Sequence, residues 1–156
     1  MTFRRICGDA FLDQCSSRIR RFYQHWLAMR GDRLMPSRAD LDPSVIKDLL
    51  PGIILIDVKY HQPFSLTYRL VGTDEVLARG SDPTGQDVAA NVYADDPGEM
   101  LRTYQLVTET RQVIYQEEPG VTHSPRLTER GMLVTPLSSD GATVDKIYAF
   151  VDYSHD

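Results

Sequence analysis

The stretch YRLVGTDEVLARGSDPTGQDV, residues 68–88, changes its structural character several times within a short span. It begins with residues typical of a β-strand, breaks at Gly72, and continues with one or two helical turns before it meets Gly80, Pro83 and Gly85. Glycine and proline at this spacing let the backbone turn sharply between short segments. The stretch therefore predicts a strand followed by one-turn helices that enclose a cavity above a sheet.

Two strands are predicted around the start of this stretch. Residues 52–59 form a continuous apolar run, which indicates a strand covered on both faces. Residues 64–71 alternate with period two, and residues 61–63 between the two runs are typical of a hairpin turn. The side chains that this alternation places on one side are Phe64, Leu66, Tyr68 and Leu70.

A connecting helix and three further strands are predicted after the glycine-rich stretch. Asp96, Pro97 and Glu99 resemble a capping box that starts a helix running to about residue 110. Strands follow at residues 112–117, 127–137 and 144–153, the last two joined by the turn at 138–142. The pattern predicts an α+β domain with a five-stranded antiparallel sheet and short helices on one face.

The N-terminal segment predicts a long amphipathic helix over about residues 10–30, with Gly31 at its C-cap. Asp42 and Pro43 start a second, short helix over about 43–50. Two interpretations stay open for the first helix: it packs on its own domain, or it pairs with a second copy in a homodimer. The residues of its apolar seam are Leu12, Cys15, Ile19, Phe22, Trp26 and Met29.

These boundaries divide the chain into an N-terminal helical extension, residues 1–51, and a core, residues 52–156. Residues 1–30 carry six arginines against two aspartates, whereas the net charge of the chain is -5. An acidic core argues against a nucleic-acid-binding surface, since such proteins gain affinity by neutralising phosphates.

Three features of the sequence predict a cytoplasmic protein: two closely spaced cysteines, no signal peptide and no membrane-spanning apolar run.

Several short fragments occur in a characteristic order and spacing along the chain. They are Tyr23-x-x-Trp26, Met35-Pro-Ser-Arg38-x-Asp40-x-Asp42-Pro43, Leu49-Leu-Pro51, Tyr68-Arg-Leu-Val-Gly-Thr73, Gly80-x-Asp82-x-Thr84-Gly85, Gln112 at the head of the third strand, and Leu137-Ser-Ser-Asp-Gly141. Together these fragments resemble the PAS sensory domain family. The resemblance covers about residues 20–153 and is closer to a bacterial single-domain branch in which a helix precedes the PAS core.

The resemblance implies a non-enzymatic sensor or interaction module that takes part in signal transduction. It implies a small-molecule pocket between helices and sheet, with regulatory signals passed through the outer sheet face and the flanking helix. The sequence contains no kinase, cyclase or DNA-binding segment, so the output would pass to a separate signalling protein.

Sensors of this fold that bind flavin or haem contain characteristic cofactor-binding residues, and this chain lacks them. Flavin sensors of this fold resemble a segment with Asn-Cys-Arg after the second strand, but residues 73–80 contain no cysteine. Haem needs an axial ligand, and residues 99–111 contain no histidine, which leaves only His123 in a predicted loop. The four histidines lack ligand spacing, so no metal is expected. The cofactor stays unknown, with haem and flavin disfavoured.

Alternation along the strands and helices predicts which side chains line a pocket. Such a lining suits a small aromatic or carboxylate ligand, with Arg69 or Arg79 as its anion partner. The alternative is a filled core, in which Arg79 and Asp82 tie two loops together through an ion pair. The pocket candidates are Leu66, Tyr68, Leu70, Val76, Leu77, Arg79, Tyr104, Tyr115 and Phe150.

Two other classes of protein compete with the sensor. A cone-shaped α+β isomerase or dehydratase would use an acid and a histidine inside a cavity, for which Asp57 and His61 are the candidates. Their position beside a predicted turn argues against this class. A ligand-free dimeric scaffold would use the helical seam, with Phe22 and Trp26 as its anchors.

Overall fold

A computed structural model describes residues 3–61, 64–117 and 122–155. The strands form one antiparallel sheet in the order β1-β4-β5-β6-β2-β3. They are β1 (Arg4–Cys7), β2 (Ile53–Lys59), β3 (Ser65–Val71), β4 (Ile114–Glu117), β5 (Leu127–Leu137) and β6 (Lys146–His155). The α-helices are α1 (Ser17–Arg30), α2 (Thr73–Arg79) and α3 (Pro97–Thr110), and 3₁₀ segments cover Ala10–Asp13, Arg38–Asp40 and Pro43–Gly52.

The sheet separates two hydrophobic cores. On the inner face, α2 and α3 pack against strand residues that include Ile56, Tyr68 and Val151. On the outer face, α1 and the Pro43–Gly52 segment pack against residues that include Tyr148 and Phe150. Because β2 contributes to both cores, its run of apolar residues is buried on both faces, as the sequence predicted.

The sheet has six strands instead of the five predicted, because the N-terminus adds β1. This strand pairs antiparallel with β4, with Arg4 opposite Glu117 and Cys7 opposite Ile114. Arg5 holds β1 to α3 by donating to the Glu99 carboxylate at 2.9 Å and to the Thr103 hydroxyl at 3.0 Å. The α+β class and the antiparallel sheet are confirmed.

The helix ends follow their caps more closely than their apolar periodicity. The predicted helix over 10–30 is a 3₁₀ turn followed by α1, which starts only after the Ser16 N-cap and ends at Gly31. The caps at Asp42 and Asp96 are confirmed, since each carboxylate accepts a backbone N–H within the next three residues. The short helix after Asp42 is a kinked 3₁₀ segment that continues through Pro51 to Gly52.

A β-bulge corrects the predicted alternation of β3. Leu55 of β2 pairs with Leu70, whereas the next residue, Ile56, pairs with Tyr68, so Arg69 lies between two paired positions. A bulge adds one residue to a strand and changes the side on which the following side chains emerge. Leu66 and Tyr68 therefore face the inner core, while Leu70 lies on the outer face and Phe64 precedes the strand.

The two predicted turns have different outcomes. At the 138–142 turn, the Asp140 carboxylate accepts the N–H groups of Ala142 and Thr143, and Gly141 has φ 82°, so the hairpin between β5 and β6 is confirmed. The predicted turn at 61–63 falls mostly outside the described residues. The division at residue 51 stays a prediction. Within the described residues, no helix has the length and apolarity that crossing a membrane requires.

Candidate functional site

The candidate site is a small cavity on the inner face, between the sheet and helices α2 and α3. Its volume is about 20 Å³. A cavity needs about 10–15 Å³ to hold one water molecule, so this space accommodates a single water. The lining residues are Ile54, Tyr68, Glu75, Arg79, Val92, Tyr93, Met100, Tyr104, Gln116, Glu129, Met132 and Val151.

A buried ion pair on α2 forms the polar wall of the cavity. Arg79 Nε donates to Glu75 Oε1 at 2.9 Å, and the two side chains are only 6% and 5% exposed. Their i,i+4 spacing places both on the side of α2 that faces the sheet. Gly80 ends this helix in the left-handed conformation, with its N–H donating to the carbonyl of Val76.

Arg79 is held by three further groups. It donates to the Tyr68 hydroxyl at 3.0 Å and to the carbonyl of Asn91 at 3.0 Å, and its guanidinium lies 4.7 Å from the centre of the Tyr68 ring. Burial acts to lower the pKa of Arg79, but Glu75 and Tyr68 outweigh it and raise the pKa above the ordinary value. The guanidinium therefore stays charged inside the protein.

Tyr153 connects the ion pair to the sheet. Its hydroxyl donates to Glu75 Oε2 at 2.5 Å, so the carboxylate is shared between α2 and β6. Burial and the adjacent Glu75 charge raise the pKa of Tyr153, and burial likewise raises the pKa values of Tyr68 and Tyr104. These tyrosines therefore stay neutral and can donate hydrogen bonds at physiological pH.

Gln116 supplies an unpaired polar atom to the cavity. The side chain is 1% exposed, and its amide nitrogen donates to the sulfur atoms of Met100, at 3.0 Å, and Met132, at 3.7 Å. Its Oε1 is buried and has no hydrogen-bond partner among the described residues. A buried amide oxygen beside a space for one water indicates that the cavity takes a water or a small polar group.

Asp152, the residue before Tyr153 on β6, makes a second set of polar contacts on the opposite side of the sheet. Asp152 is 2% exposed and accepts from the Ser16 hydroxyl at 2.5 Å and from Arg18 at 2.8 Å. Ser16 is the N-cap of α1, so Asp152 fixes the start of this helix. Adjacent residues of β6 thus contact the inner ion pair and the outer helix.

Only some of the predicted pocket residues meet at this cavity. Tyr68, Arg79 and Tyr104 line it, while Leu66 lies elsewhere in the inner core. Tyr115 and Phe150 lie in the outer core. Each is next to a residue that faces the inner side, Gln116 or Val151, and adjacent residues of a strand point to opposite faces of the sheet. On the surface side, Val76 is half-buried, Leu77 is 51% exposed and Leu70 is 45% exposed.

The predicted ion pair between Arg79 and Asp82 is wrong. Arg79 pairs with Glu75, whereas the Asp82 carboxylate accepts from the N–H and the hydroxyl of Thr84. Arg69, the other predicted anion partner, is exposed.

Residues of the rejected or disfavoured chemistries lie outside the cavity. His123 is exposed, and its ring lies against Gly80. Asp57 pairs with Lys146 at 2.7 Å, and His61 is exposed. Among the described residues, no three histidine, cysteine or acidic side chains are grouped as metal ligands.

Several site residues were missed by sequence reasoning. The Glu75 and Arg79 pair could have been found from its i,i+4 spacing, and Tyr153 from the alternation of β6. Gln116 and Met100 carry no comparable signal, because a buried glutamine and a core methionine have no characteristic pattern in a single sequence.

The seam of α1 packs within its own chain. Ile19 and Phe22 are fully buried, Trp26 is 3% exposed, and Trp26 Nε1 donates to the carbonyl of Pro136 at 3.0 Å. Leu12, Cys15 and Met29 are half-buried against the same outer core. The seam is therefore already covered in a single chain, and homodimerisation stays a prediction.

Comparison with known proteins identifies a family for this chain. No curated protein and no solved structure matches the chain significantly. In a scan of protein families, residues 14–151 match the PAS domain, and this span contains α1, the residues that line the inner cavity, strands β2 to β5 and the first part of β6. Since the match covers most of the 156 residues, the chain belongs to the PAS domain family.

Proposed function

We propose that this PAS domain is a non-enzymatic sensor that transmits a change at its inner cavity to helix α1 through strand β6. The single observation that carries the proposal is the pair Asp152 and Tyr153. Tyr153 binds Glu75 beside the cavity, and Asp152 binds Ser16 and Arg18 at the start of α1. A small rotation or shift of this part of β6 would alter both contacts together.

The input in this proposal is a small polar molecule, or the contact of a partner protein that changes the position of α2. The charge of Arg79 and the unpaired oxygen of Gln116 support binding of a small polar group. A group larger than one water must displace a side chain, because the cavity measures only about 20 Å³. Displacing Tyr68 or Tyr104 would then disturb the Arg79 contacts.

The output in this proposal passes to a separate signalling protein or to a second copy of the chain. The solvent side of α1 presents Arg20, Arg21 and Gln24, all exposed. Arg21 is bound to Asp48 of the Pro43–Gly52 segment at 2.5 Å, so movement of α1 would change the charge pattern shown to a partner. An acidic surface would complement this basic side of the helix.

Hydrogen exchange measured by mass spectrometry tests the route through β6. Tyr153→Phe removes the hydroxyl that binds Glu75, so we expect faster exchange at residues 16–22, the N-cap and first turns of α1, relative to residues 53–58 of β2. Tyr60→Phe is the matched control, because its hydroxyl also donates one hydrogen bond, to Val144, but contacts neither the cavity nor α1. Equal exchange of α1 in the two variants would refute the route.

A ligand-free dimeric scaffold is the second candidate, favoured by the small volume of the inner cavity. Native mass spectrometry of protein purified without added ligand, compared with a denatured sample, separates the two. A mass excess that disappears on denaturation supports the sensor and gives the mass of its ligand. A dimer without excess mass supports the scaffold.

A further inference from the structure

A second cavity lies on the outer face, where the Pro43–Gly52 segment crosses strands β2, β3 and β6. Its volume is about 220 Å³, about ten times that of the inner cavity. The sheet separates it from Arg79 and Glu75, so it is independent of the site described above. Its lining residues are Arg38, Leu41, Pro43, Ile46, Leu50, Ile53, Leu55, Leu70 and Tyr148.

The body of the outer cavity is apolar. Except for Arg38 and the hydroxyl of Tyr148, its lining is apolar, made of aliphatic side chains and the aromatic ring of Tyr148. The Tyr148 hydroxyl is already paired with His25 Nε2, 3.1 Å away. An apolar cavity of roughly 150 Å³ is large enough to bind benzene and excludes water. The outer cavity is therefore suited to a small apolar group.

The bulge in β3 is the reason that Leu70 borders this cavity. It turns Leu70 from the inner to the outer face, where the side chain remains 45% exposed. Leu50, which also lines the cavity, is half-buried. An exposed leucine beside an apolar cavity gives a small molecule a route of entry without unfolding of the core.

Arg38 supplies a positive charge at the cavity. Its side chain is exposed and makes no hydrogen bond or ion pair with any described residue. The nearby acids are used elsewhere: Asp40 binds Arg33 and the N–H of Ser37, and Asp42 binds the N–H and hydroxyl of Ser44. A guanidinium binds a carboxylate through two parallel N–H donors, which makes it the natural partner of such a group.

We propose that the outer cavity binds a small apolar carboxylate, with the carboxylate on Arg38 and the hydrocarbon among the leucine and isoleucine side chains. The charge of Arg38 distinguishes this ligand from a neutral apolar molecule, and the aliphatic lining distinguishes it from a sugar or an inorganic anion. The proposal does not depend on the inner cavity or on the route through β6.

Titration of the full chain with hexanoate, followed by ¹H–¹⁵N NMR, tests the proposal. Saturable shifts are expected at the amides of Leu41, Ile46, Leu55 and Leu70, with smaller shifts at Glu75 and Arg79. Arg38→Gln should weaken hexanoate binding about tenfold to a hundredfold, since it removes a charge-assisted contact. Binding of the neutral probe hexan-1-ol should stay the same in this variant.

Two further variants complete the test. Lys47→Gln removes an exposed positive charge from the Pro43–Gly52 segment, and Lys47 does not line the cavity, so hexanoate binding should be unchanged. Leu70→Trp should fill the cavity entrance and abolish binding of both probes. The resonances of the inner-face amides should stay at their wild-type positions, which shows that the variant is folded. The proposal is overturned if hexanoate gives no saturable shifts at the cavity, or if Arg38→Gln and Lys47→Gln have equal effects. Retained binding in folded Leu70→Trp also overturns it.

Discussion

The stability of the inner core depends on the buried ion pair between Glu75 and Arg79. Each side chain is almost fully buried, and each supplies the opposite charge that the other needs. We expect Glu75→Gln to lower the free energy of unfolding by about 3–5 kcal/mol, because it leaves the Arg79 charge buried without its partner. Urea unfolding at neutral pH measures this difference.

The double variant Glu75→Leu with Arg79→Met is the control for this expectation. It removes both charges and restores apolar contacts, and such replacements of a buried ion pair are often close to neutral. The double variant should therefore be more stable than Glu75→Gln alone. The single variants Glu75→Leu and Arg79→Met are measured as well. If the stability lost by the double variant equals the sum of the losses in these two, Glu75 and Arg79 are not coupled as the structure indicates.

His25 makes stability depend on pH. Burial lowers its pKa below the ordinary value of 6.5, although the Asp42 charge acts in the opposite direction. As the pH falls below 6.5, the unfolded chain takes up the proton before the folded chain does, so the free energy of unfolding decreases. The decrease continues down to the pKa of the folded protein. Urea unfolding at about pH 7.5 and about pH 5.5 measures this effect of the proton.

His25→Gln separates this histidine from the other titrating groups. The other histidines, His61, His123 and His155, are exposed, and they remain in the variant. We expect the wild type to lose more stability than His25→Gln over the same pH interval. An equal loss in the two proteins would mean that His25 can be protonated inside the fold at no cost.

Single residues also mark the limit of what the sequence could predict about the site. Tyr68, Arg79 and Tyr104 were predicted to line a pocket, and they line one cavity. Tyr115 and Phe150 were assigned to the same pocket, but they lie in the outer core. A shift of one residue along a strand moves a side chain to the opposite face of the sheet. The sequence contained too little information on the ends and bulges of the strands to fix that face.

At the scale of an element, the start of α1 depends on a tertiary contact. The apolar periodicity extends from residue 10, yet the α-helix begins only after Ser16, whose hydroxyl accepts the N–H of Ile19 and donates to Asp152. We expect Ser16→Ala to lower the free energy of unfolding by about 1 kcal/mol or more, since it removes the N-cap and one partner of a buried carboxylate. Ser17→Ala, at the next and exposed position, should change it by less than about 0.5 kcal/mol. Thermal or urea unfolding of both variants measures the two costs, and equal costs would contradict the cap.

Strand β1 is the element that no sequence pattern revealed. It has only four residues, Arg4–Cys7, and neither alternation nor a hydrophobic run distinguishes them from a loop. Its position is fixed by long-range contacts, through pairing with β4 and through the contacts of Arg5 with Glu99 and Thr103. Long strands such as β5 and β6 carry enough pattern to be predicted, whereas a short edge strand does not.

At the scale of the whole molecule, one sheet separates two cores, and the inner and outer cavities described above have opposite chemistry. The inner cavity is small and polar, with a buried ion pair, and the outer cavity is larger and apolar, with Arg38 at its border, whose side chain pairs with none of the described residues. Strand β6 is part of both faces, because alternate residues such as Phe150 and Val151 belong to different cores. The proposed route through β6 therefore requires no change in the strand order of the sheet.

The outer core depends on α1 being packed within its own chain, which gives a prediction for the molecule as a whole. Phe22 lies 4.9 Å from the Tyr148 ring and 5.6 Å from the Phe150 ring, between centres, and Trp26 is buried beside it. The double variant Phe22→Glu with Trp26→Glu would bury two unpaired carboxylates. Each costs several kcal/mol, and the stability of a domain is only about 5–15 kcal/mol. We expect the variant to unfold rather than to remain a folded monomer released from a dimer.

The matched control places the same two substitutions on the solvent side of the same helix. Gln24→Glu with Ala28→Glu adds two carboxylates at exposed positions, so its circular dichroism spectrum and melting temperature should stay close to those of the wild type. Light scattering coupled to size exclusion then gives the mass of each folded protein. If the Phe22 and Trp26 double variant instead melts cooperatively near the wild-type temperature with half the wild-type mass, the seam joins two copies and does not cover its own sheet. Loss of cooperative melting in that variant alone assigns α1 to the core of its own chain.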